Sequence, residues 1–548
     1  MKKLLLLLAL SLNYVCLFSQ NTIGYLNNSS DSYNGYTLIS TRTNTLPNSS
    51  YLINNCGNII NQWESNYSLA KADYILKNGN ILRITDSNNP STIVLPGKAG
   101  RAEIRDWDNN LVWEFDLSND QEVLHHDVYP MDNGNILIMI AKRHTDTEAH
   151  QAGRNPALLT DATLLEEYII EVEPTGLNTY NLIWQWNSWD HLIQDFDNTK
   201  DNFGVVADNP QLLDINHIKL NPGAEDWLHY NAMYYNEDLD QILISSRNTG
   251  EFYIIDHSTT TGQASGHVGG NSGKGGDYIY RWGNPEAYDQ GTSVDQKAFG
   301  QHSVHWIPQG LPNAGKIMFF NNGAGRGHSS VDIITPPYNT ITNNYDYTPG
   351  TSYGPSILDY TYVDPVTPTN FYARFVSNAQ MLPNGNILIN HGPSGYLFEI
   401  DPSTNAKVWE YINPVDQTVG VIPQGGTPSD FTKVLFRVKR YPTDYIGFNG
   451  KDVTPGNNIE QNNESCTVLS IDDYNFENKL VVYPIPSSGI ITIESDNRIN
   501  NIQLYNVSGK LILNQQPKEI NIENLDRGIY ILSIHLKNTI KNIRVVKN

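Results

Sequence analysis

Four short stretches of this chain place side chains that could do chemistry at one recurring point, just ahead of a turn-and-strand signal. They are HHDVYP (His125–Pro130), DWLHYNAMYY (Asp226–Tyr235), GQHSVHWIP (Gly300–Pro308) and SNAQML (Ser377–Leu382). Three of the four carry histidine. A neutral imidazole can attack an electrophile, exchange a proton near neutral pH or ligate a metal ion. One histidine at a strand start is ordinarily a hydrogen-bonded or surface residue, whereas convergence of three on one channel points to a site. Successive side chains on a strand face opposite ways. Only one of His125 and His126 is therefore expected to face the channel, and His302 and His305, three apart, are expected on opposite faces. His144, His150, His191, His217, His257, His267, His328, His391 and His535 fall in loops, on outer strands or in the last domain and are set aside.

The elements that must position these residues follow from a repeat. LKNGNILRI (Leu76–Ile84), MDNGNILIM (Met131–Met139) and LPNGNILIN (Leu382–Asn390) each read as an Asn-Gly turn feeding a strand, with looser cousins at Asn236–Ile244 and Leu311–Phe319. Each is followed by a strand with acidic ends and then an aromatic one, giving five units between about Lys71 and Tyr411. A sixth half-unit, Tyr51–Trp63, has its missing strands supplied from Phe431–Tyr441, so both ends of the chain close a ring. Repeats of four short strands, each too small to bury a core alone, predict a six-bladed β-propeller, with an open array of β-sandwiches as runner-up. Helical periodicity is scarce. Its longest candidate, Asn155–Glu167, is expected to be an insertion between strands. In the loop Gly262–Asp277, GGNSGKGG suggests a phosphate-binding loop, but Val268 stands where the first glycine belongs, Gly275 replaces Ser or Thr, and no helix follows.

The 548 residues carry 36 Lys and Arg against 58 Asp and Glu, a net charge of −22, with only 17% charged and 10% aromatic residues. That balance argues against nucleic-acid binding and suits an extracytoplasmic β protein. Residues 1–20, with Lys2, Lys3 and the apolar run Leu4–Leu12, predict a cleaved secretory signal, and no membrane span is expected in the mature chain. Cys56 and Cys466 remain, a pair that an oxidising compartment could join or that could stay as two buried thiols. The expected domains are the propeller over 21–446, a polar Asn- and Gly-rich linker over 447–472, and a small all-β sandwich over 473–548.

Two resemblances extend this reading. YPIPSSG, LYNVSGKLI and LDRGIYIL make the last domain similar to the type A sorting domain of the type IX secretion system of Bacteroidetes, although Ile485 stands where that family has Asn. This implies export through the periplasm and outer membrane to the surface or medium, with the secretion machinery as partner. The propeller resembles the bacterial arylsulfotransferase (aryl-sulfate sulfotransferase) family, through WLHYN and DQILISSR (Trp227–Arg247), GQHSVHWIP, and His126–Asp127. The resemblance implies transfer of a sulfuryl group from an aryl sulfate to a phenolic acceptor, without a nucleotide donor, cofactor or metal. In those roles His302 is the nucleophile that becomes a sulfohistidine. His229, His126 and Arg247 surround the sulfuryl group with Asn231, and His125 takes the place of His126 if the register slips by one. The chemistry itself asks for such a set: a neutral imidazole nucleophile, preorganised donors for the equatorial oxygens, and a general acid for the leaving phenol. Two rivals stand beside it. A metal-dependent propeller enzyme would ligate through His126, His229 and His302, and a non-catalytic propeller would bind glycans or proteins.

Overall fold

The structure, a computed structural model, describes residues 21–460, 466 and 480–547, apart from 45–46, 70, 222, 427–428, 484–486, 496–498, 507–508, 516–518 and 536–539. The expected signal at 1–20 and most of the expected linker after 460 lie outside the described residues. The chain forms two compact units, Met1–Leu469 and Ser470–Asn548.

The first unit is all-β, and among the described residues it is built of six antiparallel sheets of four or five strands laid down in chain order, with three two-stranded ribbons in the connections. The second sheet shows the pattern: Asp73–Ile75, Ile81–Asp86, Gly100–Arg105 and Leu111–Asp116 pair in sequence. The third begins with Glu122–Pro130, the fourth with Tyr230–Asn236, the fifth with His302–Trp306 and the sixth with Asn378–Met381. The Asn-Gly turns explain the register. Gly79, Gly134 and Gly385 all hold φ near +90° (+85°, +93° and +92°), the left-handed conformation that glycine adopts without steric cost.

Because side chains alternate across a strand, each sheet is apolar on both faces and needs a neighbour on each. In the third sheet Ile136, Ile138 and Ile140 pack toward the second sheet, while Leu137 and Met139 pack toward the fourth. The same holds all the way round. Apolar clusters join the fourth sheet to the fifth, the fifth to the sixth, the sixth to the first and the first to the second.

Closure uses both ends of the chain, as the half-unit at Tyr51–Trp63 implies. The first sheet consists of Gly35–Thr41, Asn48–Ile53 and Ile59–Ser65, and the late strand Lys439–Pro442 pairs with its Gly35–Thr41. A second closure is invisible in the repeat: Gly24–Asn28 adds a fifth strand to the sixth sheet, beside Ala406–Ile412. A disulfide joins Cys56 to Cys466 across 410 residues of sequence. Arg440, in the closing strand, is fully buried. It pairs with Glu399 of the sixth sheet at 2.5 Å, donates to Thr37 Oγ1 at 2.9 Å and lies over the Trp409 ring.

The segment Asn155–Glu167 is not helical. Pro156–Leu158 make a single 3₁₀ turn capped by Asn155, and from Thr163 the chain enters a long strand ending at Gly176. Ladder pairing with Ile136–Thr145 overrides the local pattern there. The second unit has two sheets, Leu480–Tyr483/Ile490–Ser495/Glu519–Asn521 and Leu511–Gln515/Asn501–Asn506/Gly528–His535/Ile540–Lys547. Ile491, Ile493 and Ile520 of one share an apolar cluster with Leu504, Leu532 and Val545 of the other.

Removing one partner of a fully buried ion pair leaves the other charge stranded, at a cost of about 3–5 kcal/mol. Arg440→Ala should destabilise the first unit by that order in denaturant unfolding followed by tryptophan fluorescence. The double variant Arg440→Met with Glu399→Gln should recover a large part of the loss.

Candidate functional site

The innermost strands of the third, fourth and fifth sheets depart from ladder geometry where the histidines sit. Opposite Met139 the chain places His125, His126 and Asp127, between Leu124 and Val128. Asn231 is an extra residue between Tyr230 and Ala232, and Ser303 and Val304 stand opposite Phe319 alone. These are β-bulges, which re-aim side chains at the cost of local pairing. Their backbones show it, with φ of +49° at His126, +53° at His229 and +53° at Ser303. In residues other than glycine such angles are uncommon and mark sites where the surroundings hold the chain in place.

The bulges bring His126, His229 and His302 to the wall of one cavity of about 450 Å³, with Arg247, Lys71 and Arg42. Pro96, Phe375, Val434 and Phe436 supply apolar wall, and no lining residue is Asp or Glu. The cavity thus suits an anion carrying an apolar body. Gly97 forms part of the wall at φ +81°, and a Cβ there would lie 2.2 Å from His126 Nε2, so only glycine leaves that ring its place.

Behind each functional group stands a buried partner. His302 Nδ1 lies 2.8 Å from Asn322 Oδ1 and 3.2 Å from the Gly300 carbonyl. Asn322 in turn donates its amide hydrogens to the carbonyls of Ala373 and Val376, which fixes its oxygen toward the imidazole. The hydrogen of His302 is therefore on Nδ1, and the backbone N–H of Val376 donates to Nε2 at 3.2 Å, as a lone pair there requires. Burial, with the Arg247 charge second, pushes the His302 pKa down to about 3, so the ring is neutral across the physiological range.

His229 Nδ1 meets Asp226 Oδ2 at 2.6 Å, and its ring stands edge-on to His126 with centroids 4.7 Å apart. Burial and the neighbouring His229 hold His126 well below the usual imidazole range. Arg247 Nη1 donates to Asn248 Oδ1 at 2.9 Å, and Asn248 is tied to the Asp226 carbonyl.

Two expected residues lie behind the cavity. His125 is fully buried, with Nδ1 2.9 Å from His126 Nδ1 and Nε2 2.5 Å from Glu167 Oε2, so the register places His126, and not His125, at the wall. Asn231 is also fully buried and does not line the cavity. Its amide donates to the Gln301 carbonyl at 2.7 Å, bracing the backbone beside His302. The expectation that His302 and His305 face opposite ways rested on simple alternation, which the bulge between them breaks. They separate instead by opening on different cavities: His305, its Nδ1 held on the Ser303 carbonyl, lines a smaller one of about 90 Å³ with Tyr74 and Tyr234.

Other groups carried no legible signal. Asn322 is one of many polar turn residues, and Lys71, Arg42 and Glu167 belong to no motif. The Val376 N–H is backbone, although the fourth stretch SNAQML, which lacks a histidine, marks its neighbourhood. Val376 and Ser377 hold φ of +50° and +84° there. Among the described residues, the group whose potential metal-ligating atoms gather within 4.8 Å of one another is His191, His267 and Asp277, outside this cavity.

Comparison with known proteins bears on this site. The sequence profile of the family described as Arylsulfotransferase (ASST) matches residues 26–421, most of the chain. The chain belongs to that family. The matched span takes in the histidine-bearing stretches of the third, fourth and fifth sheets and every residue of the cavity wall up to Gln417. Residues 481–548 match the secretion system C-terminal sorting domain, the type IX tail, which marks the arylsulfotransferase unit for export to the surface or medium. No curated protein matches. Solved structures similar to the chain include a Bacteroides caccae protein of unknown function, at 12% identity over 69% of this chain and 93% of that one, with TM-score 0.36. A periplasmic gluconolactonase of Pseudomonas aeruginosa is similar at 9% identity, over 74% of this chain and 100% of that one, with TM-score 0.33. The Cps50 (Swd1) β-propeller domain of Myceliophteria thermophila is similar at 8% identity, over 73% and 88%, with TM-score 0.33. Among the described residues no helix is long and apolar enough to cross a membrane.

The buried imidazoles set a pH dependence. His302 is held down to about 3 and His305, chiefly by burial, to about 4, against about 6.5 in an unfolded chain. Above about pH 6.5 neither state binds the proton. Below it the unfolded chain takes up protons that the fold refuses, so stability should fall as pH drops from about 6.5 toward 4, by roughly 1.4 kcal/mol per pH unit for each such ring. In ¹⁵N NMR, His302 Nε2 should stay unprotonated from pH 8 to pH 5; a midpoint near 6.5 would contradict the assignment.

Proposed function

We propose that this arylsulfotransferase moves a sulfuryl group from an aryl sulfate to a phenolic acceptor through a sulfohistidine at His302. The observation that carries the reading is the presentation of a neutral Nε2 lone pair at the wall of a cavity with three cationic side chains and no carboxylate. In the first half-reaction Nε2 attacks sulfur and the S–O bond to the aryl group breaks. A cavity imidazole that enters the cycle as a cation gives its Nε2 proton to the leaving phenolate and becomes neutral. In the second, the acceptor phenol gives its proton back to that imidazole and attacks sulfur, and the N–S bond breaks. Arg247, with Lys71 and Arg42 at greater reach, meets the charge on the sulfuryl oxygens. The Val376 N–H, which donates to Nε2 in the free site, is aimed where one of those oxygens would lie.

His229 suits the proton transfer best, because Asp226 holds its Nδ1 and can support the cation formed when Nε2 takes up a proton. His126, backed by His125 and Glu167, completes the enclosure. The apolar wall of Phe375, Val434 and Phe436 gives an aryl ring a surface to lie against. Arg247 counts against a catalytic dication on the three histidines, since a fixed cation repels it.

On the same reading, the six sheets are the six blades of a propeller over residues 21–446. The segment 447–472 is a linker, and the two C-terminal sheets are the sandwich of a sorting domain over 473–548. Deleting residues from Asp473 onward should leave a folded, active enzyme that no longer reaches the surface or medium of its native host. A truncated chain that is still delivered would remove the sorting assignment.

The mechanism is tested by mass spectrometry after mixing with p-nitrophenyl sulfate, where a sulfate adduct should map to His302. His302→Ala should abolish transfer, by more than about 10³-fold, as expected when a covalent nucleophile is removed. Arg247→Ala and His229→Ala should slow adduct formation by about 10²–10³-fold, and His305→Ala should leave turnover near that of the native enzyme. Wild-type turnover by His302→Ala would refute the sulfohistidine.

A further inference from the structure

The loop Gly262–Asp277, which fails as a phosphate-binding loop, carries two members of a cluster that the cavity does not use. Asp277 Oδ1 lies 2.8 Å from His191 Nδ1 and 2.8 Å from His267 Nδ1. His191 and Asp277 are buried, and His267 is exposed at the loop's outer side. All three potential ligand atoms fall within 4.8 Å of one another. We propose that His191, His267 and Asp277 form a Zn²⁺ site that ties this loop of the fourth sheet to the turn Ser188–His191 leaving the third.

Hydrogen-bond accounting carries the assignment. His191 Nε2 lies 2.8 Å from the Ala264 carbonyl, which can only accept, so the hydrogen of a neutral ring is on Nε2. Nδ1 then turns a lone pair toward a carboxylate oxygen that also has only lone pairs to offer. His267 Nδ1 meets the same oxygen. A cation among the three atoms converts the repulsion between His191 Nδ1 and the carboxylate into coordination, and replaces the hydrogen bond that a neutral His267 can donate from Nδ1. Metal-ligating histidines characteristically donate their other N–H to a carbonyl or carboxylate, and His191 already does so.

The surroundings hold the ligands before any ion arrives. Trp186 stacks on the His191 ring, with planes 5° apart, and its Nε1 donates to the Gly276 carbonyl at 2.8 Å. A Cβ on Gly276 would come 2.6 Å from His191 Nε2, so only glycine lets the loop close over the imidazole. Two imidazoles and one carboxylate are a zinc donor set, with bonds of about 2.0–2.2 Å and a fourth position left for water. The 2.8 Å contacts are shorter than the edges of such a tetrahedron. His267, with 60% of its side chain exposed, has room to swing outward and accommodate the ion. Among the described residues, the ion pairs of Asp277 within 4.0 Å are with these two histidines, while Lys274, three residues earlier, also acts on its charge without pairing with it.

The test uses tag-free, full-length protein stripped with chelator. Isothermal titration with ZnCl₂ should give one equivalent bound, and Co²⁺ should give the visible absorption of a tetrahedral N/O site. His267→Ala, an exposed change that leaves the fold intact, should weaken both by more than about tenfold. His302→Ala should retain them, which separates this site from the catalytic cavity and makes the outcome independent of the sulfotransfer mechanism. Absence of zinc binding by the native chain would overturn the proposal in favour of an imidazolium–carboxylate pair. Binding unchanged in His267→Ala, or lost in His302→Ala, would overturn it as well.

Discussion

The pairing of Arg440 with Glu399 sets two full charges between the first and last sheets, where neither reaches water. A buried pair of this kind costs desolvation on both sides and is retained where its geometry is well satisfied. Here Thr37 accepts from Nε and the face of Trp409 covers the guanidinium, while Nη2 is buried without a hydrogen-bond partner among the described residues. Its position explains its value. Every sheet has two apolar faces, so the stack has no natural end, and the first and sixth sheets must cover each other. Arg440 reads that contact in three places at once and leaves a shifted register without a partner for Glu399.

Closure also builds the cavity. Thr432, Val434 and Phe436 of its wall come from the segment that runs into the closing strand. Arg437 of the same segment makes two bonds to Asp127, at 3.0 and 2.8 Å, and Asp127 accepts a further one from the Met233 N–H. Asp127 follows His126, so the bulge that aims that imidazole is gripped by a residue about three hundred positions later. Burial, with the Arg247 charge second, keeps His302 neutral, and burial with the neighbouring His229 holds His126 well below the usual imidazole range. Lys71 of the wall is already paired with Asp86 at 2.8 Å.

Much of this was legible in the sequence, for physical reasons that can be named. Asn-Gly turns require left-handed backbone and so announce their strands, and the half-unit at Tyr51–Trp63 announces its own missing strand. Histidine at strand starts is conspicuous because it is scarce. What could not be read is what bulges and long-range packing decide. Alternation assigns faces only on a regular strand, so it could not choose between His125 and His126, and it gave the wrong ground for separating His302 from His305. The extra strand Gly24–Asn28 belongs to no repeat, and Asn155–Glu167 has its local pattern overridden by pairing with Ile136–Thr145. The family resemblance through WLHYN sets Asn231 beside the sulfuryl group, but a motif does not show where a side chain's hydrogen bonds go, and the structure spends this amide on the Gln301 carbonyl.

The closing strand has a consequence for the order in which the chain becomes a molecule. Gly35–Thr41 is made early, yet the strand that completes its sheet arrives some four hundred residues later. Until then the first sheet has an open edge and the ring has two uncovered apolar faces, so the nascent chain has no finished core in which to stop. Pairings so distant in sequence carry a large loop-closure cost and form slowly. The topology thus postpones the native state until the last fifth of the chain is available to pair.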